Sequence, residues 1–216
     1  MSTVVVACKT IEREVCAAMD NVGVDFPVIW LESGLHNWPN KLRDKLQHAL
    51  NQCGDADTVL LAMSLCGNSV VGIETAGYRL IIPKCDDCIT LLLGSFEQRQ
   101  SNPATYFLTK GWLDGERSVW DEYLHCVKRY GKEEAEEIMA DMLGHYRFLA
   151  FVDSGMGDGN ETGARVAEIA SELKLEYARL DGTVSYLEDL FRGNWSDINR
   201  FLTVEPFEVI STQMCL

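Results

Sequence analysis

The sequence predicts an α/β protein, with a doubly wound, mostly parallel sheet and helices on both faces. Three observations predict it. Short, continuously apolar runs rich in β-branched residues recur along the chain, such as Val4-Val5-Val6-Ala7-Cys8 and Thr58-Val59-Leu60-Leu61-Ala62-Met63. Strands that are apolar at every position are buried on both faces, as in parallel sheets. Segments with apolar residues at helical spacing alternate with those runs, which indicates parallel pairing through helical crossovers. The chain has 216 residues, 47% hydrophobic and 24% charged, enough for a substantial core. A single domain over residues 1–216 is expected, with a helical insertion at 95–144.

The elements follow in order. Val4 to Cys8 reads as the first buried strand. Ile11, Val15, Ala18 and Met19 mark a helix over Ile11 to Met19. Pro27 to Leu31 reads as a second strand, and Lys41 to Cys53 as an amphipathic helix with Leu42, Leu46, Ala49 and Leu50 on one face. Thr58 to Met63 is a third strand, running out near Leu65-Cys66-Gly67. Leu80 to Pro83 is the fourth. The apolar run Cys88 to Phe96 opens as a helix capped by Asp86 or Asp87.

Ser101 to Trp112 reads as loop and short strand. Glu116 to Met142 carries long helical patterning, and its charged run Lys132 to Glu137 is expected on a solvated face. Phe148 to Val152 and Tyr177 to Leu180 are the fifth and sixth strands. Helices are expected at Thr162 to Leu173 and Ser185 to Phe191, and Phe201 to Val204 forms a last strand or extended tail.

Charge narrows the partners. With 33 acidic and 19 basic residues the formal net charge is -14, which repels nucleic-acid backbones and anionic membranes. The expectation is no nucleic acid, no membrane and a small-molecule ligand. Met1 to Thr10 enters a strand-like run with no basic region or cleavage site, and no apolar stretch reaches the length of a membrane span. A cytoplasmic location is expected. The terminal Gln213-Met214-Cys215-Leu216 lacks the spacing of a prenylation signal. In a reducing cytoplasm the eight cysteines stay thiols, bind metal or do redox chemistry.

Ligands of open parallel sheets bind outside the carboxyl ends of the strands. Cys8 closes the first strand, Cys66 follows the third, and Cys85 and Cys88 follow the fourth. The three ends are expected to share one crevice. Clustered soft thiolates suit zinc, and an iron–sulfur cluster is the alternative. Cys85-Asp86-Asp87-Cys88 can also be read as a redox pair. Cys16, Cys53, Cys126 and Cys215 are expected to be structural or incidental, with Cys16 and Cys53 on core faces.

His36, in the loop after the second strand, is the best placed histidine for the same edge. Asp153 and Ser154 open a Gly-bearing turn after the fifth strand, and Asp153 can orient a ligand. Tyr106 and Trp112 lie in an aromatic, hydroxyl and glycine-bearing segment that suits a pocket wall or core packing. Asp87 completes the expected pocket. No Walker motif, nucleophile elbow or kinase signature is present.

Four segments together resemble the domain-of-unknown-function family 1638. They are Val6-Ala7-Cys8 with Glu14 soon after, Leu65-Cys66-Gly67-Asn68, Pro83-Lys84-x-x-Asp87-Cys88-Ile89-Thr90-Leu91-Leu92-Leu93-Gly94-Ser95, and Tyr106-Phe107-Leu108-Thr109-x-Gly111-Trp112. The resemblance covers most of the chain. It implies a protein encoded beside corrinoid proteins and corrinoid-dependent methyltransferases, hence one-carbon metabolism, with a corrinoid protein or methyltransferase as partner. It places the family cysteines at Cys8, Cys66 and Cys88. It also implies that Cys85 and Asp86 occupy variable positions, with histidine common at the place of Asp86. A metal site here would then draw its fourth donor from Cys85 or an acidic residue. The expectation is a cysteine-ligated zinc protein, or a non-enzymatic iron–sulfur or corrinoid-ligand binding protein.

Overall fold

The structure is a computed structural model that describes residues 2–115 and 118–215. Eight strands carry the architecture: β1 (Thr3–Cys8), β2 (Val28–Leu31), β3 (Thr58–Ala62), β4 (Arg79–Pro83), β5 (Thr105–Leu108), β6 (Phe148–Asp153), β7 (Glu176–Asp181) and β8 (Phe201–Val204). They form two sheets, one in the order β2-β1-β3-β4-β8 and the other β5-β6-β7. Every pairing is parallel except that of β4 with β8. The α/β class, the mostly parallel pairing and the flanking helices match the sequence reading. That reading placed all the strands in one sheet, and the structure divides them. An apolar run reveals that a strand is buried on both faces; it does not reveal which sheet buries it.

The helices complete a layered body. They are α1 (Glu12–Val22), α2 (Pro39–Asn51), α3 (Cys88–Leu93), α4 (Phe96–Gln100), α5 (Lys110–Asp114), α6 (Val119–Tyr130), α7 (Lys132–Leu143), α8 (Gly159–Glu172) and α9 (Ser185–Arg192). Alternate residues of a strand face opposite ways. Val5, Ala7, Leu60 and Ile81 accordingly point to one side of the larger sheet, where they meet Val15 of α1, Leu91 of α3 and Leu187 and Leu190 of α9. The same layer receives Phe107, Ala150 and Val152 from the smaller sheet. Val6, Leu61, Leu80 and Ile82 face the other way and pack on Leu42, Leu46 and Leu50 of α2. Leu108, Leu149 and Phe151 cover the outer side of the smaller sheet with Tyr123 of α6, Met139 of α7 and Val166 of α8.

Several elements differ in detail from the sequence reading. Within the segment 95–144, expected as a helical insertion, the short strand expected in Ser101 to Trp112 forms as Thr105–Leu108 and pairs in register with Phe148–Phe151. The long helix breaks at Gly131, whose φ of 93 is open to glycine and costly for other residues. Glu116, where that helix was expected to begin, lies outside the described residues, as do Met1 and Leu216. The helix opening at Cys88 stops at Leu93, closed by Gly94 at φ 81, and Ser95 caps a separate short helix by accepting from Gln98 N. Cys16 is exposed rather than on a core face, whereas Cys53 and Cys126 are buried. No helix among the described residues is long and apolar enough to cross a membrane.

Candidate functional site

β1, β3 and β4 are neighbours and run parallel, so their carboxyl ends meet at one edge. Cys8 is the last residue of β1, and its thiol donates to Thr10 Oγ1 at 3.3 Å. Beyond β3 the chain stays paired with the β4 extension: Leu65 N donates to Cys85 O at 2.8 Å and Cys66 N to Asp86 O at 3.1 Å. Cys66, Gly67 and Asn68 then turn through the left-handed region, with Cys66 at φ 44. A non-glycine residue there costs of order 1 kcal/mol. A 3.0 Å hydrogen bond joins the Cys66 sulfur to Ser64 Oγ. Cys88 is the first residue of α3, which Asp87 caps by accepting from Thr90 N at 2.7 Å and Thr90 Oγ1 at 2.8 Å.

These three cysteines line a single pocket of about 230 Å³. Its apolar walls are Ile11, Leu35, Leu42 and Met63, and its polar members are Thr10, His36, Asp86, Asp87 and Trp112. His36 and Trp112 stack with centroids 4.9 Å apart and planes at 17°. Trp112 arrives from the other sheet. Thr109 caps α5 by accepting from Trp112 N at 3.2 Å. Gly111 lies so close to the short turn Lys9–Ile11 that a Cβ there would stand 1.8 Å from Thr10 O. That approach carries the indole over the thiols.

Burial acts on two of the thiols, Cys66 and Cys88. Burial pushes the Cys66 thiol up to about 11; its bond to Ser64 lowers it in part, while Cys8 and Asp87 add to the rise. Cys88 is raised well above the ordinary thiol range, again first by burial and then by Cys66, Cys8 and Asp87, against a lowering from the Trp112 N–H. Burial lowers His36, which leaves its imidazole neutral at pH 7. The Trp112 Nε1 proton is buried near the Cys88 sulfur without hydrogen-bond geometry to any partner among the described residues. A neutral thiol is a weak acceptor, whereas a thiolate in that place would satisfy the indole.

The sequence-derived site residues separate into two groups. Cys8, Cys66, Cys88, His36, Asp87 and Trp112 meet in the pocket. Cys85, Tyr106, Asp153 and Ser154 do not line it. Cys85 opens onto an adjacent hollow of about 480 Å³ with Tyr186 and Arg200, where burial pushes its thiol up to about 12. Cys88, by contrast, lines the thiol pocket. Tyr106 packs edge-on against Tyr146 at 5.3 Å. Asp153 pairs with Arg179, and Ser154 Oγ donates to the buried Glu14 at 2.6 Å. Those contacts tie the β6 end to β7 and α1. The hydroxyls Thr10 and Ser64 were missed, although their spacing of two residues from Cys8 and Cys66 was visible.

The donor set suits a soft cation: three thiols and a nearby carboxylate share a pocket that no Lys or Arg lines. The placement is not yet that of a bound ion. Among the described residues no group of three or more His, Cys, Asp and Glu side chains is arranged to hold a metal.

The chain belongs to the family described as "Protein of unknown function (DUF1638)", whose model matches residues 30–191. The matched span includes Cys66, Cys88, His36 and Trp112, and Cys8 precedes it. No curated protein and no solved structure matches the chain.

Proposed function

We propose that this chain is a cytoplasmic metal-binding protein that holds zinc on Cys8, Cys66 and Cys88 and acts in, or as an accessory to, corrinoid-linked methyl transfer. One observation carries the metal reading: three thiols from three neighbouring strand ends line one pocket with Asp87 beside them and no Lys or Arg. Thiolates in an apolar pocket are unstable without a compensating cation. The buried Trp112 N–H, which acts to lower the Cys88 thiol, supports the same reading, because a donor of this kind stabilises a ligating thiolate from outside the ligand set.

The chain's residues divide the work. Cys8, Cys66 and Cys88 supply the soft donors, and Ser64 and Thr10 orient two of them. Trp112 and His36 cover the pocket and limit water. When bound, zinc would act as a Lewis acid that lowers the pKa of a ligand at its open position. The methyl-transfer half of the proposal rests on the family resemblance and its corrinoid context. A single ion is favoured over a four-thiolate iron–sulfur cluster because Cys85, the fourth candidate, faces the adjacent hollow.

Elemental analysis of protein purified anaerobically without added metal tests the proposal. The expected result is about one zinc per chain, lost in Cys66→Ser and retained in Cys85→Ser. Metal-free wild-type protein, or equal loss in both variants, would overturn it. A brown preparation with visible absorption would replace the ion with a cluster.

A further inference from the structure

The thiol pocket has an uneven charge. None of its lining residues is Lys or Arg, and two of them, Asp86 and Asp87, are acidic. Asp87 is already engaged. Its Oδ1 accepts both Thr90 bonds, and its Oδ2 lies 3.6 Å from Arg99 Nε. Asp86 is exposed and engaged in none of those bonds; it borders both this pocket and the adjacent hollow of Lys84, Cys85 and Arg200, where its charge adds to the rise of the Cys85 thiol. Its backbone is nevertheless fixed, because Asp86 O accepts from Cys66 N at 3.1 Å. An unpaired negative charge is thus held beside the Cys66 turn, at the edge of a pocket walled by Ile11, Leu35, Leu42 and Met63.

Apolar walls weaken dielectric screening and focus the field of a nearby charge into a cleft. The net charge of -14 adds to that field. An anion approaching the sulfurs meets two carboxylates, of which Asp87 is paired with Arg99 and Asp86 is not, and no lining cation. A neutral molecule of the same size pays no such penalty and gains contact with the walls. We infer that this pocket admits small ligands without net negative charge to its three sulfurs and turns equal-sized anions away, with Asp86 as the discriminating residue. The ligand class is a small, apolar-bodied molecule carrying one soft centre that meets sulfur. The inference deepens the reading of this same thiol site, and its test needs no metal, so the two can fail separately.

The test compares alkylation of Cys8 and Cys66 by iodoacetamide and by iodoacetate in chelator-treated protein at pH 9, read peptide by peptide by mass spectrometry. In each reaction the thiolate sulfur displaces iodide. A sulfur–carbon bond forms, the carbon–iodine bond breaks, and the thiol proton goes to buffer. The two reagents are of similar size and differ in charge. Each rate is divided by that of N-acetylcysteine to remove intrinsic reactivity. The expected neutral-to-anionic preference is about tenfold, shrinking in 1 M salt as exposed charge is screened. Asp86→Asn is expected to cut the preference about threefold, and Asp86→Lys to abolish or reverse it. Circular dichroism confirms that both variants are folded, as an exposed position allows. Equal normalised rates in the wild type, or a preference unchanged in both variants, would overturn the inference.

Discussion

Cys66 shows how much a single residue's setting decides. Its place after an apolar run was legible because strands of a parallel sheet deliver their carboxyl ends to one edge. Its left-handed backbone and its bond to Ser64 were not, since both depend on the turn that pairs residues 65 and 66 with 85 and 86. Cys85 is the opposite case. Asp87 is extended, with φ -143 and ψ 167. The chain bends at Asp86 and Asp87 before Cys88 opens α3, and the two thiols come to line different hollows. Their burial has a measurable consequence. Cys66 and Cys85 are pushed up to about 11 and about 12, from 9.0. Above the ordinary value the unfolded chain releases these protons while the folded chain retains them. The stability they contribute is complete below pH 9 and is lost as pH rises to about 12. Urea midpoints of metal-free protein are therefore expected to fall progressively above pH 9, and less steeply in Cys85→Ser. A flat profile across that window would show that these thiols are not buried.

At the scale of elements, α5 decides whether the pocket has a roof. The segment Thr109-Lys110-Gly111-Trp112 combines a cap, a close approach and an aromatic ring in four residues. The sequence marked it as unusual, but the partner of Gly111 is the Thr10 carbonyl, about a hundred residues away in the chain. Only the folded chain discloses that contact. Gly111→Ala places a methyl group against that carbonyl, and α5 must move away from the Lys9–Ile11 turn. Overpacking of this kind costs about 1–3 kcal/mol. The variant is expected to unfold at correspondingly lower urea, with a change in tryptophan fluorescence as Trp112 loses its stacking on His36. Unchanged stability would mean that α5 and the turn do not touch. The breaks at Gly94 and Gly131 belong to the same scale. Both glycines were visible, but their role as stops follows from left-handed or otherwise positive φ values that the helical pattern alone does not reveal.

At the scale of the whole molecule, the two sheets share one apolar layer. Residues of β1, β3 and β4 reach it from one side and those of β5 and β6 from the other, with α1, α3 and α9 between. The thiol pocket uses that arrangement, since His36 comes from the larger sheet's half and Trp112 from the smaller's. Leu187 is fully buried in the layer. Leu187→Ala is expected to cost about 2–5 kcal/mol and to shift far-ultraviolet circular dichroism and tryptophan fluorescence together, in one transition. Separate transitions for the two probes would show that the sheets unfold independently.

The sequence by itself determined the α/β class, nearly every strand, and the gathering of Cys8, Cys66, Cys85 and Cys88 toward one edge, from which the family resemblance singled out Cys8, Cys66 and Cys88. Apolar periodicity and the polarity of parallel strands are local properties, written in the order of the residues. Tertiary structure decided the division into two sheets, the exclusion of Cys85, and the docking of Trp112 over the thiols. Each of these depends on which distant segments touch, and the same local pattern is compatible with several such pairings. The acidic edge at Asp86 lies between the two levels. Its charge is read from one letter, and its place at the rim of the thiol pocket only from the folded chain.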